Sequence, residues 1–97
     1  MPQDSGSQTL TADGVVGDSG APTRVFSATW ICDNTTNVNL VLRNGTSASG
    51  AVYVQQAGTN GKSVTQNWHN GLFFPGGCFF DIDADVDSAT IEYRTEL

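Results

Sequence analysis

Apolar and polar residues alternate with a period of two along most of the chain, which is the pattern of half-buried β-strands. In segment 88–95, Ala89, Ile91 and Tyr93 fall on one face and polar residues fall on the other. Segment 38–43 alternates in the same way. No segment repeats its apolar residues at the spacing of a helix turn, so no helix is predicted.

Turn signals separate these alternating segments. The dipeptides Asn44-Gly45 and Asn70-Gly71 are typical of tight turns between antiparallel strands, and Pro75 ends a short aromatic segment. The predicted strands cover 23–32, 38–43, 50–56, 62–69, 72–74, 78–83 and 88–95, with an eighth at 7–12. We therefore predict an all-β fold, a single antiparallel β-sandwich of the jelly-roll type with seven or eight short strands.

Residues 1–22 differ from the rest of the chain in composition. They are rich in Gly, Ser and Asp, and their only strongly apolar residues are Leu10, Val15 and Val16. Three interpretations follow: a frayed terminus, an extended N-terminal arm that becomes ordered on a partner, or an edge strand followed by a loop. In all three, residues 23–97 form the β-sandwich domain.

Segment 23–32 offers two candidate core faces. One face holds Val25, Ser27, Thr29 and Ile31, and the other holds Phe26, Ala28, Trp30 and Cys32. The second set is the more apolar, so we predict that it packs into the core and that the first set faces outward.

The charge of the chain excludes some partners. It has 97 residues, which supports one domain, and a formal net charge of −6 with only four Lys and Arg residues. Phosphate neutralisation needs a basic surface, so nucleic-acid binding is not expected, and the same acidity disfavours an anionic membrane surface. The sequence shows neither the pattern of a signal peptide nor an apolar run of membrane-spanning length, so we expect synthesis in a cytoplasm.

The two cysteines, Cys32 and Cys78, both lie beside bulky apolar residues. Burial as small apolar side chains is the favoured interpretation. A disulfide between them is the alternative, and the sequence leaves this choice open. Neither cysteine has a Lys or His beside it in the sequence, so a reactive thiol is not expected.

An alternating acidic row lies near the C-terminal end: Asp81, Asp83, Asp85 and Asp87. With Glu92, the row matches the ligand positions of an EF-hand calcium loop, but Val86 stands where that loop requires glycine, and the flanking segments are strands rather than helices. We therefore interpret the row as a solvated strand end and assign no metal. A cation bound there in a different geometry stays open as the alternative.

Nothing in the sequence predicts catalysis. His69 is the only histidine, and it lies beside a predicted turn with no acidic neighbour in the sequence. A catalytic base needs an oriented partner within hydrogen-bond distance. The chain also has no strained nucleophile motif and no glycine-rich phosphate loop. We therefore predict a protein that is not an enzyme, with no catalytic residue and no cofactor.

Three aromatic residues could bind a sugar. Trp30, Tyr53 and Trp68 would form a flat platform if they were exposed side by side. The two tryptophans both occur in alternating segments, so burial in the core is the favoured interpretation. The glycan platform is kept as the alternative.

Two longer stretches carry a family resemblance. The first is RVFSATWICDNTTNVNLVLR at 24–43, followed by Asn44-Gly45, and the second is NGLFFPGGCFFDI at 70–82, followed after a short loop by ATIEY at 89–93. Together they resemble small β-sandwich structural proteins from the virions of tailed bacteriophages. The resemblance implies a capsid decoration or cement protein, which would lie on the capsid surface of the virion and bind the major capsid protein.

Docking and self-association follow from this implied role. We expect the apolar residues of the arm, Leu10, Val15 and Val16, to contact the capsid. A chain this small gains buried area by packing against a copy of itself, so we also expect a homo-oligomer, with a trimer favoured.

Two other functions stay open at this stage. A glycan- or receptor-binding module of a phage fibre or spike would expose Trp30 or Trp68 beside Tyr53. A head–tail connector or tail-tube component would assemble into rings.

Overall fold

The computed structural model describes residues 5–32, 38–58, 62–82 and 86–96. Within these ranges the chain forms eight strands and no helix, which confirms the predicted all-β class. The strands are β1 (Ser5–Leu10), β2 (Gly14–Val16), β3 (Thr23–Cys32), β4 (Val38–Asn44), β5 (Ala51–Gly58), β6 (Ser63–Phe74), β7 (Cys78–Ile82) and β8 (Val86–Thr95).

The strands form two antiparallel sheets of four, which confirms the predicted sandwich. The first sheet has the order β1-β8-β3-β6 and the second has the order β2-β7-β4-β5. The chain pairs as a nested hairpin, because β1 pairs with β8, β2 with β7, β3 with β6 and β4 with β5. Successive pairs alternate between the two sheets. This arrangement is the strand order of a jelly roll.

The N-terminal segment contributes one strand to each sheet. β1 is an edge strand of the first sheet and pairs along its whole length with β8. β2 is an edge strand of the second sheet and pairs with β7. The structure therefore places residues 5–16 in the sandwich, where the sequence suggested a frayed terminus, an arm or an edge strand beginning at residue 7.

A bulge in β3 changes which side chains face the core. Ala28, Trp30 and Cys32 are buried as predicted, but the register shifts between Val25 and Ser27. Val25 is therefore fully buried, whereas Phe26 lies half-buried under the guanidinium of Arg94. The prediction that Phe26 shares the core face was wrong, because a bulge inserts one residue and reverses the alternation beyond it.

The predicted turn at Asn70-Gly71 lies inside β6. Leu72 pairs with Val25 and Asn67 pairs with Ser27, so residues 68–71 bulge out opposite a single residue of β3. Gly71 permits this course, since its φ is +81° and a Cβ there would lie 2.4 Å from Arg24 Cγ. The two predicted strands of this region are thus one strand with a wide irregularity.

The core fills the space between the sheets. Its largest fully buried side chains are Trp30, Phe74, Phe80, Leu42 and Ile91. Burial of one such side chain contributes about 1.5–3 kcal/mol. All four central strands, β3, β4, β7 and β8, supply residues to this core, which fixes the direction in which their alternate residues point outward.

The two cysteines lie at opposite ends of the sandwich. Both side chains are buried, and neither is part of a disulfide. Cys32 ends β3, whereas Cys78 follows Phe74 after a short turn, and Phe74 pairs with Thr23 at the start of β3. A strand of ten residues spans about 30 Å, and a disulfide needs Cα atoms within about 7 Å. The two thiols therefore cannot pair in this fold.

Candidate interaction surfaces

The outer face of the second sheet carries a row of apolar side chains. In the registers of the sheet, Val15 lies opposite Phe79, Phe79 opposite Arg43, and Arg43 opposite Val52. Directly opposed residues share one face of a sheet. Val52 is 45% exposed, and Val15 and Phe79 are half-buried. We call these four residues the second-sheet row.

One ion pair lies on this face. Arg43 Nε donates to Asp81 Oδ2 at 2.8 Å, and Arg43 Nη1 donates to the carbonyl of Gly50 at 2.9 Å. These two bonds fix the guanidinium, so the stem of Arg43 lies between Phe79 and Val52. The one formal charge in the row is therefore paired with Asp81.

The three residues expected to dock do not form one surface. Leu10 is 8% exposed and Val16 is fully buried, because both point between the sheets. Their side chains are occupied by core packing and offer a partner almost no area. Only Val15 faces outward, and it does so as part of the second-sheet row.

The outer face of the first sheet is polar and carries four threonines in line across all four strands: Thr9, Thr90, Thr29 and Thr65. Thr9 Oγ1 and Thr90 Oγ1 lie 3.0 Å apart, and Thr29 Oγ1 and Thr65 Oγ1 lie 3.2 Å apart, both within hydrogen-bond distance. We call them the threonine row. Exposed threonines stabilise sheets through such cross-strand pairs.

Arginine and aromatic side chains cluster at one end of this face. Arg24 lies over the Phe73 ring at 5.1 Å from its centroid. Glu96 accepts hydrogen bonds from Arg24 and from Arg94. The hydrogen bond from Arg24, followed by the one from Arg94, lowers the pKa of Glu96 below its ordinary value. The cluster ties β8 to β3 and to the end of β6.

The structure does not bring the three predicted platform aromatics together. Trp30 is fully buried between the sheets, and Trp68 packs partly against the core. Tyr53 is 43% exposed, but its ring stacks on the buried ring of Phe74 with centroids 5.2 Å apart. The alternative that uses Trp30 as a sugar platform was wrong, because that ring is a core element.

The acidic row does not form a described cation site. Asp81 pairs with Arg43, Asp87 is exposed, and Asp83 and Asp85 lie outside the described residues. Among the described residues, no three His, Cys, Asp or Glu side chains are grouped as metal ligands would be. His69 lies exposed in the irregular part of β6.

Carboxylate side chains are distributed unevenly between the two lateral sides of the sandwich. All ten Asp and Glu residues lie in segments 1–33 and 81–97, and β3, β4, β5 and β6 contain none. The strand orders place these four strands together on one side. We call this side the carboxylate-free half, and the side formed by β1, β2, β7 and β8 the acidic half.

The two halves end in different edges. On the acidic half, Gln8 of β1 donates from Nε2 to the Val15 carbonyl at 3.0 Å, and its Oε1 accepts from the Gly17 N–H at 2.9 Å. This side chain bridges β1 and β2 across the open side of the sandwich. On the carboxylate-free half, the stacked rings of Tyr53 and Phe74 join β5 to β6.

Comparisons with known proteins do not identify a function for this chain. No family model, no curated protein and no solved structure matches this chain. The described segments enclose no pocket, and they contain no helix that is long and apolar enough to cross a membrane. The faces and edges of the sandwich are therefore the features from which a function has to be argued.

Sequence reasoning identified Val15 as a docking residue but missed the other residues of the two rows. Val52 carries no local signal for a surface role, and the four threonines come from strands that are far apart in the sequence. Only the registers between strands align them. The alternation of buried Cys78 and Phe80 around Phe79 was the one signal that could have placed an aromatic ring on an outer face.

Proposed function

We propose that this protein is a non-enzymatic structural component of a phage virion, which binds the assembled capsid and reinforces it. The observation that carries the proposal is the second-sheet row, in which Val15, Phe79 and Val52 flank the paired guanidinium of Arg43. Aromatic and arginine side chains are enriched where proteins contact each other. The family resemblance of the sequence supplies the kind of partner, the major capsid protein.

The position of the docking surface follows from burial. Leu10 and Val16 contribute to the core, so the proposed contact moves from an N-terminal arm to the outer face of the second sheet. Val15 is the residue that both placements share. Contiguous apolar side chains on an outer face are a common mark of an interaction surface.

Copy number makes such a modest surface sufficient. A capsid presents the same site many times, and contacts that are weak alone add up when several are linked in one assembly. Self-association of the decoration protein would provide that linkage. The trimer favoured by the sequence stays a prediction.

The proposal is tested by co-sedimentation of the purified protein with emptied capsids of the phage that encodes it, beside a capsid-free control. Saturable binding at a fixed ratio is expected for the natural sequence. Val52→Lys is expected to abolish binding, because it places a charge in the second-sheet row. Ile31→Lys is the matched control, since Ile31 is exposed to a similar degree, 48% against 45%, but lies on the other sheet.

Other outcomes would redirect or reject the proposal. Loss of binding in Ile31→Lys but not in Val52→Lys would move the contact to the first sheet. A protein that never sediments with capsids would refute decoration, and glycan binding by the isolated protein would then favour a fibre or spike module.

A further inference from the structure

β6 presents an unpartnered sheet edge on the carboxylate-free half. It is the last strand of the first sheet and pairs only with β3. The edge of a sheet displays N–H and C=O groups at the spacing of a strand, and another strand is the partner that satisfies them in register. The part of β6 from Ser63 to Asn67 pairs with β3 without irregularity, so it is a regular edge.

The hydrogen-bond pattern shows which residues face this edge. The Cys32 N–H donates to the Lys62 carbonyl at 3.1 Å, in the same register that pairs Ile31 with Ser63. Bonded and non-bonded pairs alternate along an antiparallel ladder. Val64 and Gln66 therefore bond to β3. The backbone groups of the alternate residues, Ser63, Thr65 and Asn67, point away from β3 toward the open edge.

This stretch is complementary to itself. In an antiparallel pairing about a two-fold axis at Thr65, Thr65 faces Thr65 of the second copy, and Ser63 faces Asn67 of the second copy. Each of these residues would exchange a pair of backbone hydrogen bonds with its counterpart. The threonine row ends at Thr65, so the same axis would join the rows of the two copies into one line across a continuous sheet.

The charge distribution permits this contact. Two copies of a chain with a net charge of −6 repel each other, but β6 contains no Asp, Glu, Lys or Arg. The two-fold pairing brings the carboxylate-free halves together and leaves the acidic halves at the far ends. Edge strands that must stay single are commonly protected by charges or prolines, and Ser63 to Asn67 has neither.

The edge formed by β1 fits a second copy less well. Glu92 of the neighbouring strand lies directly opposite Ser7, and Asp13 lies in the adjoining loop. Gly6 has a φ of +150°, a backbone conformation that other residues rarely adopt. Of the two edges of the first sheet, the one formed by β6 is therefore the farther from carboxylates.

We propose that two copies of this protein associate through β6, with the strands antiparallel about Thr65, to form one eight-stranded sheet. This inference goes beyond the proposed function and does not depend on it. It specifies a two-fold pair rather than the trimer favoured from the sequence.

The first test is sedimentation equilibrium of the full chain and of three variants. The natural sequence is expected at twice the 10.2 kDa mass of one chain. Thr65→Lys is expected at the mass of one chain, because like charges directly opposite across strands repel. Thr9→Lys is the matched control and is expected to remain a pair, since it makes the same charge change at the opposite end of the threonine row. Mixing Thr65→Lys with Thr65→Glu is expected to restore the pair, which a folding defect would not allow.

Amide hydrogen exchange gives a second readout. The amides of Ser63, Thr65 and Asn67 are expected to be protected in the natural protein and to exchange rapidly in Thr65→Lys. The amides of Val64 and Gln66 bond to β3 and should stay protected in both. A natural protein that sediments as a single chain, or that grows into open polymers, would overturn the proposal. Equal behaviour of Thr65→Lys and Thr9→Lys would also overturn it.

Discussion

The two lateral sides of the sandwich are closed by different chemistry. On the acidic half, the Gln8 amide bonds to backbone groups of Val15 and Gly17. On the carboxylate-free half, the rings of Tyr53 and Phe74 stack at 5.2 Å. The Gln8 side chain occupies backbone hydrogen-bonding groups at the edge strand β2. The contact between the two rings covers the core without bonding to the backbone of an edge strand. The second arrangement therefore leaves β6 open to another strand.

The largest loss of stability is expected when the contact between Tyr53 and Phe74 is removed. Phe74→Ala removes a fully buried ring and should lower the free energy of unfolding by about 3–5 kcal/mol. Urea unfolding followed by tryptophan fluorescence measures this change. The neighbouring Phe73→Ala is the matched control, because Phe73 is 39% exposed.

The control has its own expected size. Phe73 lies under the guanidinium of Arg24 on the outer face, and an exposed contact of this kind contributes about 0.5–1 kcal/mol. Equal destabilisation by both substitutions would mean that the end of β6 does not direct Phe74 inward, and the description of the contact between Tyr53 and Phe74 would then be wrong.

A smaller loss of stability is expected when the hydrogen bonds of the Gln8 side chain are removed. Gln8→Leu keeps much of the side-chain volume but removes the hydrogen bonds to Val15 of β2 and to Gly17, which follows β2. Leaving a partly buried donor and acceptor unpaired costs about 1–3 kcal/mol. Urea unfolding is again the measurement. Gln55→Leu on β5 is the control, since Gln55 is exposed and a surface change of this kind usually stays within about 0.5 kcal/mol. A Gln8 variant as stable as the Gln55 variant would show that the hydrogen bonds of Gln8 do not stabilise the acidic half.

Sequence alternation predicted well where strands are regular. In β8, Ala89 and Ile91 are buried as the period-two pattern indicates. In β3 the pattern predicted Ala28, Trp30 and Cys32 correctly and failed at Phe26. A bulge depends on pairing with neighbouring strands, and pairing is not written in the local sequence.

The candidate surfaces were harder to predict for a related reason. The polar composition of the N-terminal segment suggested that Leu10 and Val16 are exposed and can bind a partner. They are instead buried, because β1 and β2 are edge strands whose inner faces cover the core. Apolar residues in a polar segment can serve a core as well as a partner. The rows on the outer faces combine residues from strands that are distant in sequence, so only the assembled sheets bring them together.

The smallest effect is expected where the two halves meet. Glu96 follows β8 of the acidic half and accepts hydrogen bonds from Arg24 of β3 and from Arg94. These bonds lower the pKa of Glu96 below its ordinary value of 4.5. A carboxyl whose pKa is lower in the folded state stabilises the fold above its unfolded pKa, and this contribution is lost as the pH falls through the lowered value. Natural protein should therefore lose more stability than Glu96→Gln between neutral pH and pH values below 4.5. Thermal unfolding across this range, repeated at high salt, measures the difference, which salt should reduce because Glu96 is solvated. Parallel pH profiles would show that the arginine pair does not join the two halves energetically.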